Sequence, residues 1–196
     1  FLSANTAYVQ WLVGLGITQG SPVTYAEGVL ALYSRSGLLG ETENPLMALD
    51  YALQNGAVQR LVIANPECAP YGSAARAALE HAGTWTRARQ VLLLGANAGQ
   101  AVQYALQGDV DVALVPLPLA RLAKLQETGQ LQALPKETFP SVELHQQMVL
   151  LPGADQKTRE FFAYLQSIDS REIFMRHGLL APRLIYRFFL CLSLGR

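Results

Sequence analysis

Charge is scarce in this sequence. Only 15% of its 196 residues are charged, against about 25% in an average soluble domain. Fifteen Lys and Arg balance fifteen Asp and Glu, so the basic excess by which nucleic acid is bound is missing and no nucleic-acid partner is expected. Low charge combined with 51% apolar residues also excludes disorder as the general state. Cysteine is nearly absent. Cys68 and Cys191 form neither a metal-spaced cluster nor a disulfide framework, although a bridge between them is allowed by count. His81, His145 and His177 stand at no ligand spacing, so no metal site and no cofactor are expected. No window reaches the ~18 uninterrupted apolar residues of a membrane-spanning helix. Internal repeats and low-complexity segments are lacking too. No leader is recognisable, and because the chain begins at Phe1 without Met its first residues do not decide its compartment.

What the chain does have is alternation between helical and strand-like periods. Residues 5–15 carry Tyr8, Val9, Leu12 and Val13 near helical spacing and stop at Gly14 and Gly16. Residues 29–33 read as a strand. Asn44-Pro45 opens a helix with Asn as its cap and Pro in its first turn, and Asn55-Gly56 closes it. Strands follow at 60–64, 90–94 and 110–115, each succeeded by a helix, at 73–81, 99–106 and 117–128. A strand-like run at 142–151 and helices at 155–166 and 170–177 complete the series. This order predicts an α/β fold with parallel-rich sheets flanked by helices. Tyr104, Leu106, Leu122 and Leu125, at helical spacing, are expected in the core.

Two polar stretches, 34–43 and 135–141, set off a central block at about 35–138. The flanking pieces, 1–34 and 139–182, then have to pack together, which points to two lobes joined by more than one crossing. Residues 183–196 are basic and apolar with no polar face. A surface anchor, a packed strand and a frame slip are all open readings of that atypical tail.

Two junctions could hold a ligand. The segment Asn65-Pro-Glu-Cys-Ala-Pro-Tyr-Gly-Ser-Ala-Ala75 leaves a buried strand and opens a helix. Pro70 suits the helix entry, Gly72 allows close backbone approach, and free N–H groups around Tyr71 and Gly72 face outward where the helix dipole favours negative charge. Gly95-Ala-Asn-Ala-Gly-Gln100 repeats the geometry, with Asn97 as cap and the N–H groups of Ala98 and Gly99 left over. Neither loop contains Lys or Arg. Backbone amides alone would hold a small oxyanion there by size and proton count.

The first of these segments resembles the signature loop of the molybdate-binding proteins of ABC transporters, in its Asn65-Pro-x-x-Ala-Pro-Tyr-Gly-x-Ala-Ala75 pattern. Phe1-Leu-Ser-Ala4, Gly95-x-Asn97, Phe161-x-x-Tyr-Leu165 and Glu172-Ile-Phe-x-Arg-x-Gly178 resemble other parts of the same family, from Phe1 to about Pro182. The resemblance implies the two-lobe, type II fold of periplasmic substrate-binding proteins. It implies an oxyanion, molybdate or tungstate, held by the backbone N–H groups of Tyr71 and Ala98, with the Tyr71 ring lining the cleft and Ala69 as a neighbouring contact. It further implies no covalent chemistry, an extracytoplasmic or periplasmic location, delivery to ABC permease subunits, and a monomer. Two serine loops of the family fall upstream of Phe1, and Pro116 stands where some members use a tyrosine. The first lobe is therefore expected to be incomplete, with an exposed edge and weakened binding.

Other candidates read more simply. Cys68 is expected to be a small buried hydrophobe, not a nucleophile. Glu67 and Glu143 could form an acid–base pair only if the fold joined them. Arg76, Arg87 and Arg89 form a mild basic cluster, a solvated face or a docking surface for permease subunits. An effector-sensing domain of a transcriptional regulator, which shares the two-lobe fold, is the alternative function. An enzyme is not expected.

Overall fold

The computed structural model describes residues 1–40 and 42–182; the tail expected at 183–196 and Cys191 lie outside them. The first elements are β1 (Leu2–Ser3), α1 (Thr6–Gly14), β2 (Gln19–Glu27), β3 (Leu30–Arg35) and α2 (Pro45–Gln54). Then come β4 (Leu61–Ala64), α3 (Pro70–His81), α4 (Trp85–Ala88), β5 (Leu92–Gly95), α5 (Ala98–Leu106), β6 (Val112–Pro116) and α6 (Leu117–Leu122). The series closes with β7 (Gly129–Ala133), β8 (His145–Leu150), α7 (Gln156–Tyr164) and α8 (Ile168–Arg176).

These strands form two sheets, one of five strands in the order β5-β4-β6-β3-β7 and one of three in the order β1-β8-β2. In the larger sheet β4 runs parallel to β5 and β6, while β3 pairs antiparallel with β6 and β7. The smaller sheet is antiparallel throughout. The α/β class is as expected; where parallel-rich sheets were expected, the larger sheet is mixed and the smaller antiparallel. The physical reason is that β3 and β7 flank the parallel unit from outside the β4–β5–β6 series of crossovers.

Strands β4 and β6 are buried along their whole length, as befits central strands covered on both faces. Leu30, Leu32, Leu61, Ile63 and Leu114 face α2 and α3 in one core. Tyr33, Val62, Ala113 and Val115 face the residues of α5 and α6 in the other. Period-two alternation thus serves two helical layers at once. The expectation for 117–128 is only half met: α6 ends at Leu122 and a 3₁₀ turn follows at Leu125–Glu127. Leu125 is buried, whereas Leu106 and Leu122 are exposed, on the outer faces of their helices.

Because β3 belongs to the larger sheet, the chain changes sheets at Gly28, earlier than the expected boundary at residue 34. It returns after Phe139 and Leu144, which still pack in the larger lobe's core, just before β8. Beside the first crossing, Leu180 exchanges two backbone hydrogen bonds of 2.8 Å with Glu27 at the end of β2. Gly28 N–H donates to the Leu144 carbonyl at 2.7 Å, tying two crossings side by side.

Candidate functional site

Strands β4 and β5 are adjacent and parallel, so their carboxyl ends deliver two loops to the same edge of the sheet. Crevices at such ends are where open α/β sheets take ligands. Asn65 N–H donates to the Gly95 carbonyl at 2.8 Å, locking one loop to the other.

In the first loop the Asn65 carbonyl accepts from Cys68 N–H at 3.3 Å and Ala69 N–H at 2.9 Å. The Ala69 carbonyl accepts from Gly72 N–H at 2.9 Å and Ser73 N–H at 3.0 Å. Pro70 has no N–H to give. Among the described residues this leaves Tyr71 N–H as the one amide of the α3 start without an acceptor. Two expectations change here. Gly72 N–H is already engaged, and its missing Cβ serves the strand rather than a ligand: an added Cβ would lie 2.3 Å from the Ala64 carbonyl oxygen. Ala69 N–H is also engaged, so Ala69 can line the site but not donate to it.

The second loop behaves as its sequence predicts. Asn97 caps α5 by accepting from Gln100 N–H at 2.9 Å, and its carbonyl accepts from Ala101 N–H at 3.2 Å. The Gln100 side chain in turn accepts from Ala96 N–H at 2.6 Å. The N–H groups of Ala98 and Gly99 remain without acceptors among the described residues.

Both helix starts border a cavity of about 400 Å³. Cys68, Ala69, Pro70, Tyr71, Ala98, Pro116, Pro118 and Leu119 line it from the larger lobe, Ala4 and Gln146 from the smaller, and Leu179 from the segment after α8. No charged side chain is among them. Pro116 stands where expected and offers neither hydroxyl nor N–H. Gln146 was not visible as a site residue in the sequence; the signal that could have marked it is a pair of glutamines inside the otherwise apolar run of β8.

Tyr71 is divided between two places. Its N–H faces the helix start, but its ring is packed in the larger core, and its hydroxyl lies against Gly28 at the crossing. Burial, reinforced by nearby Tyr25, pushes the Tyr71 phenol well above the ordinary tyrosine range, against a smaller opposing effect of the Val29 N–H. The ring therefore wedges the junction of the lobes as a neutral group.

The remaining candidates separate. Cys68 is exposed, not buried, with its Sγ 3.8 Å from the carbonyl oxygens of both Asn65 and Ala96. Glu67 faces Arg76 at 3.7 Å, while Glu143 lies elsewhere against Lys136 and His145, so no acid–base pair forms. Arg76 is held by Glu80 at 2.8 Å over the Trp85 ring, and Arg87 is held by Asp50. Those charges are largely matched, as on a solvated face. Among the described residues no three His, Cys, Asp or Glu cluster to hold a metal ion, and no helix is long and apolar enough to cross a membrane.

Two sheets joined by two crossings, with backbone donors of neighbouring helix starts opening on a cleft between them, define a two-lobe solute-binding protein. Comparison with known proteins agrees: the chain belongs to the bacterial extracellular solute-binding protein family, whose model matches residues 1–180. It is 24% identical to the molybdate-binding protein ModA of Rhodobacter capsulatus over 91% of this chain and 67% of that protein. It is 26% identical to ModA of Azotobacter vinelandii over 83% of this chain and 62% of that protein. The chain thus spans about two thirds of the length of these relatives. The solved structure of the Azotobacter vinelandii periplasmic molybdate-binding protein superposes with a TM-score of 0.77 at 25% identity, over 93% of this chain and 78% of that one.

Proposed function

We propose that this chain captures a tetrahedral oxyanion, molybdate or tungstate, in the inter-lobe cleft and hands it unchanged to the permease subunits of an ABC importer. The observation that carries the reading is the pair of helix starts whose Tyr71 and Ala98 N–H groups, without acceptors among the described residues, border one cavity lined by no charged side chain among them. Helix N-termini favour anions through both the free amides and the dipole. Neutral donors in a shielded cleft make charge-assisted hydrogen bonds to an anion without competing for it with a counter-charge. Selection then rests on oxygen–oxygen span and on protonation. Ala69 shapes the wall. Binding and lobe movement are the whole activity, carried out by a monomer on the periplasmic side of the membrane.

Isothermal titration of molybdate, tungstate, sulfate and phosphate, carried to millimolar ligand, tests the reading. Heat with molybdate and tungstate, and none with sulfate, is the expected result. Silence with all four would reduce the likeness to one of fold.

A further inference from the structure

We infer that the side-chain amide of Gln146 is a ligand donor in this cleft, reaching the anion from the smaller sheet, opposite Tyr71 and Ala98. The inference rests on the oxyanion reading and adds to it a specificity-determining side chain. Gln146 sits in β8, is only 9% exposed, and lines the cavity together with Ala4. Its cross-strand neighbour is Ala26, itself fully buried. The amide makes a single contact, from Nε2 to the Leu144 carbonyl two residues away, at 3.4 Å. That is longer than the 2.7–3.2 Å of an ordinary N–H···O bond. Its second N–H and its Oε1 have no hydrogen-bond partner among the described residues; the Oε1 is reached by solvent, unlike that of neighbouring Gln147, which is buried without a partner.

A nearly buried polar group short of partners disfavours the fold. An apolar residue on this strand face would avoid that cost, as Met148 does two positions further along. The rest of the cavity lining carries no charged side chain. Water or an ion in the cavity can complete its hydrogen bonding. A primary amide is well matched to a neutral anion site, because it donates N–H without adding charge and so preserves the uncharged lining. With Tyr71 and Ala98 N–H on one side and Gln146 on the other, the ion is gripped from both sheets. Donors on both sides are what convert binding into an approach of the lobes.

The test is a two-dimensional ¹H–¹⁵N spectrum of the full chain, assigned by triple-resonance methods and titrated with sodium molybdate against matched sodium chloride. Such spectra register millimolar binding. The Gln146 side-chain NH₂ pair should shift with the same midpoint as the Tyr71 and Ala98 backbone amides. Q146L, which keeps the shape, should raise the midpoint about tenfold, the equivalent of one such hydrogen bond. Q146E, which places a carboxylate against the anion, should raise it further at neutral pH. Movement of Tyr71 and Ala98 with a stationary Gln146 amide and an unchanged Q146L midpoint overturns the inference and leaves the oxyanion reading standing; the amide then has water for its partner. If no resonance moves, the oxyanion reading fails and this inference with it.

Discussion

A methyl group added at residue 28 would lie 2.2 Å from the Tyr71 hydroxyl oxygen, 2.8 Å from the ring carbon bearing it and 3.0 Å from Leu144 Cβ. None of the three can retreat easily, because Tyr71 and Leu144 are both buried. Gly28→Ala is expected to destabilise the protein by about 1–3 kcal/mol through overpacking. Tyr71→Phe in the same background removes the nearest atom and should recover part of that loss, which a double-mutant cycle of urea midpoints reads as coupling. Strict additivity would show that the ring does not wedge the crossing. The same displacement reaches the ligand, since the Tyr71 backbone and ring move as one residue. Gly28→Ala should therefore weaken molybdate binding as well.

Elements bring their own predictions. The start of α5 depends on the Asn97 side chain, and an N-cap of this kind is worth about 1 kcal/mol. Asn97→Ala should lower stability by about that amount, and it should weaken oxyanion binding by a larger factor than Asn44→Ala, a cap of equal quality on α2 far from the cleft. Equal binding by the two variants would dissociate α5 from the site. On the opposite layer, Asp50 joins α2 to α4 by accepting from Thr84 Oγ1 at 3.1 Å, Arg87 Nε at 2.9 Å and Gln54 Nε2 at 2.6 Å. Burial alone would raise the Asp50 carboxyl, but the hydrogen bonds from Arg87, Thr84 and Gln54 and the Arg87 charge outweigh it and hold the group below its ordinary value. A depressed folded-state value contributes stability that is present above the unfolded carboxylate value of about 3.9 and is lost as pH falls through the folded one. Between pH 6 and pH 3 the wild-type urea midpoint should consequently fall more steeply than that of Asp50→Asn. Parallel curves would mean that the contact adds nothing.

At the level of the whole molecule the two sheets are unequal. The larger buries β4 and β6 completely between two helical layers. The smaller sheet has the two-residue β1 at one edge, and its α1 exposes Tyr8 and Trp11. Local opening follows such differences in burial. Backbone amides of β4 and β6 should exchange with solvent slowest and at the global unfolding free energy, while those of β1, β2 and α1 exchange at least about tenfold faster. Equal protection in both sheets would show one cooperative unit. Molybdate should protect the amides at the starts of α3 and α5 together with those of β8, because the ligand spans the cleft.

What the sequence by itself determined is local chemistry. Asn44, Asn97 and the glycines after helix ends fixed most helix boundaries, because caps act over a few residues. The apolar runs of β4, β5 and β6 marked strands, of which β4 and β6 are buried on both faces while the edge strand β5 exposes Leu94, and the loops at 65–75 and 95–100 already marked the free amides of Tyr71 and Ala98. Two strands escaped notice. Gln19–Glu27 carries Gly20 and Pro22 and pairs with β8 through register shifts, which erases the period of two. Gly129–Ala133 is an edge strand whose pairing with β3 is decided across the sheet. Tertiary structure alone decided that β3 joins the larger sheet, that Gly28 rather than residue 34 is the crossing, and that the Tyr71 ring fills it. It alone turned Gln146 toward the cleft. Those outcomes depend on contacts between residues distant in sequence, whose free energies are absent from any local window.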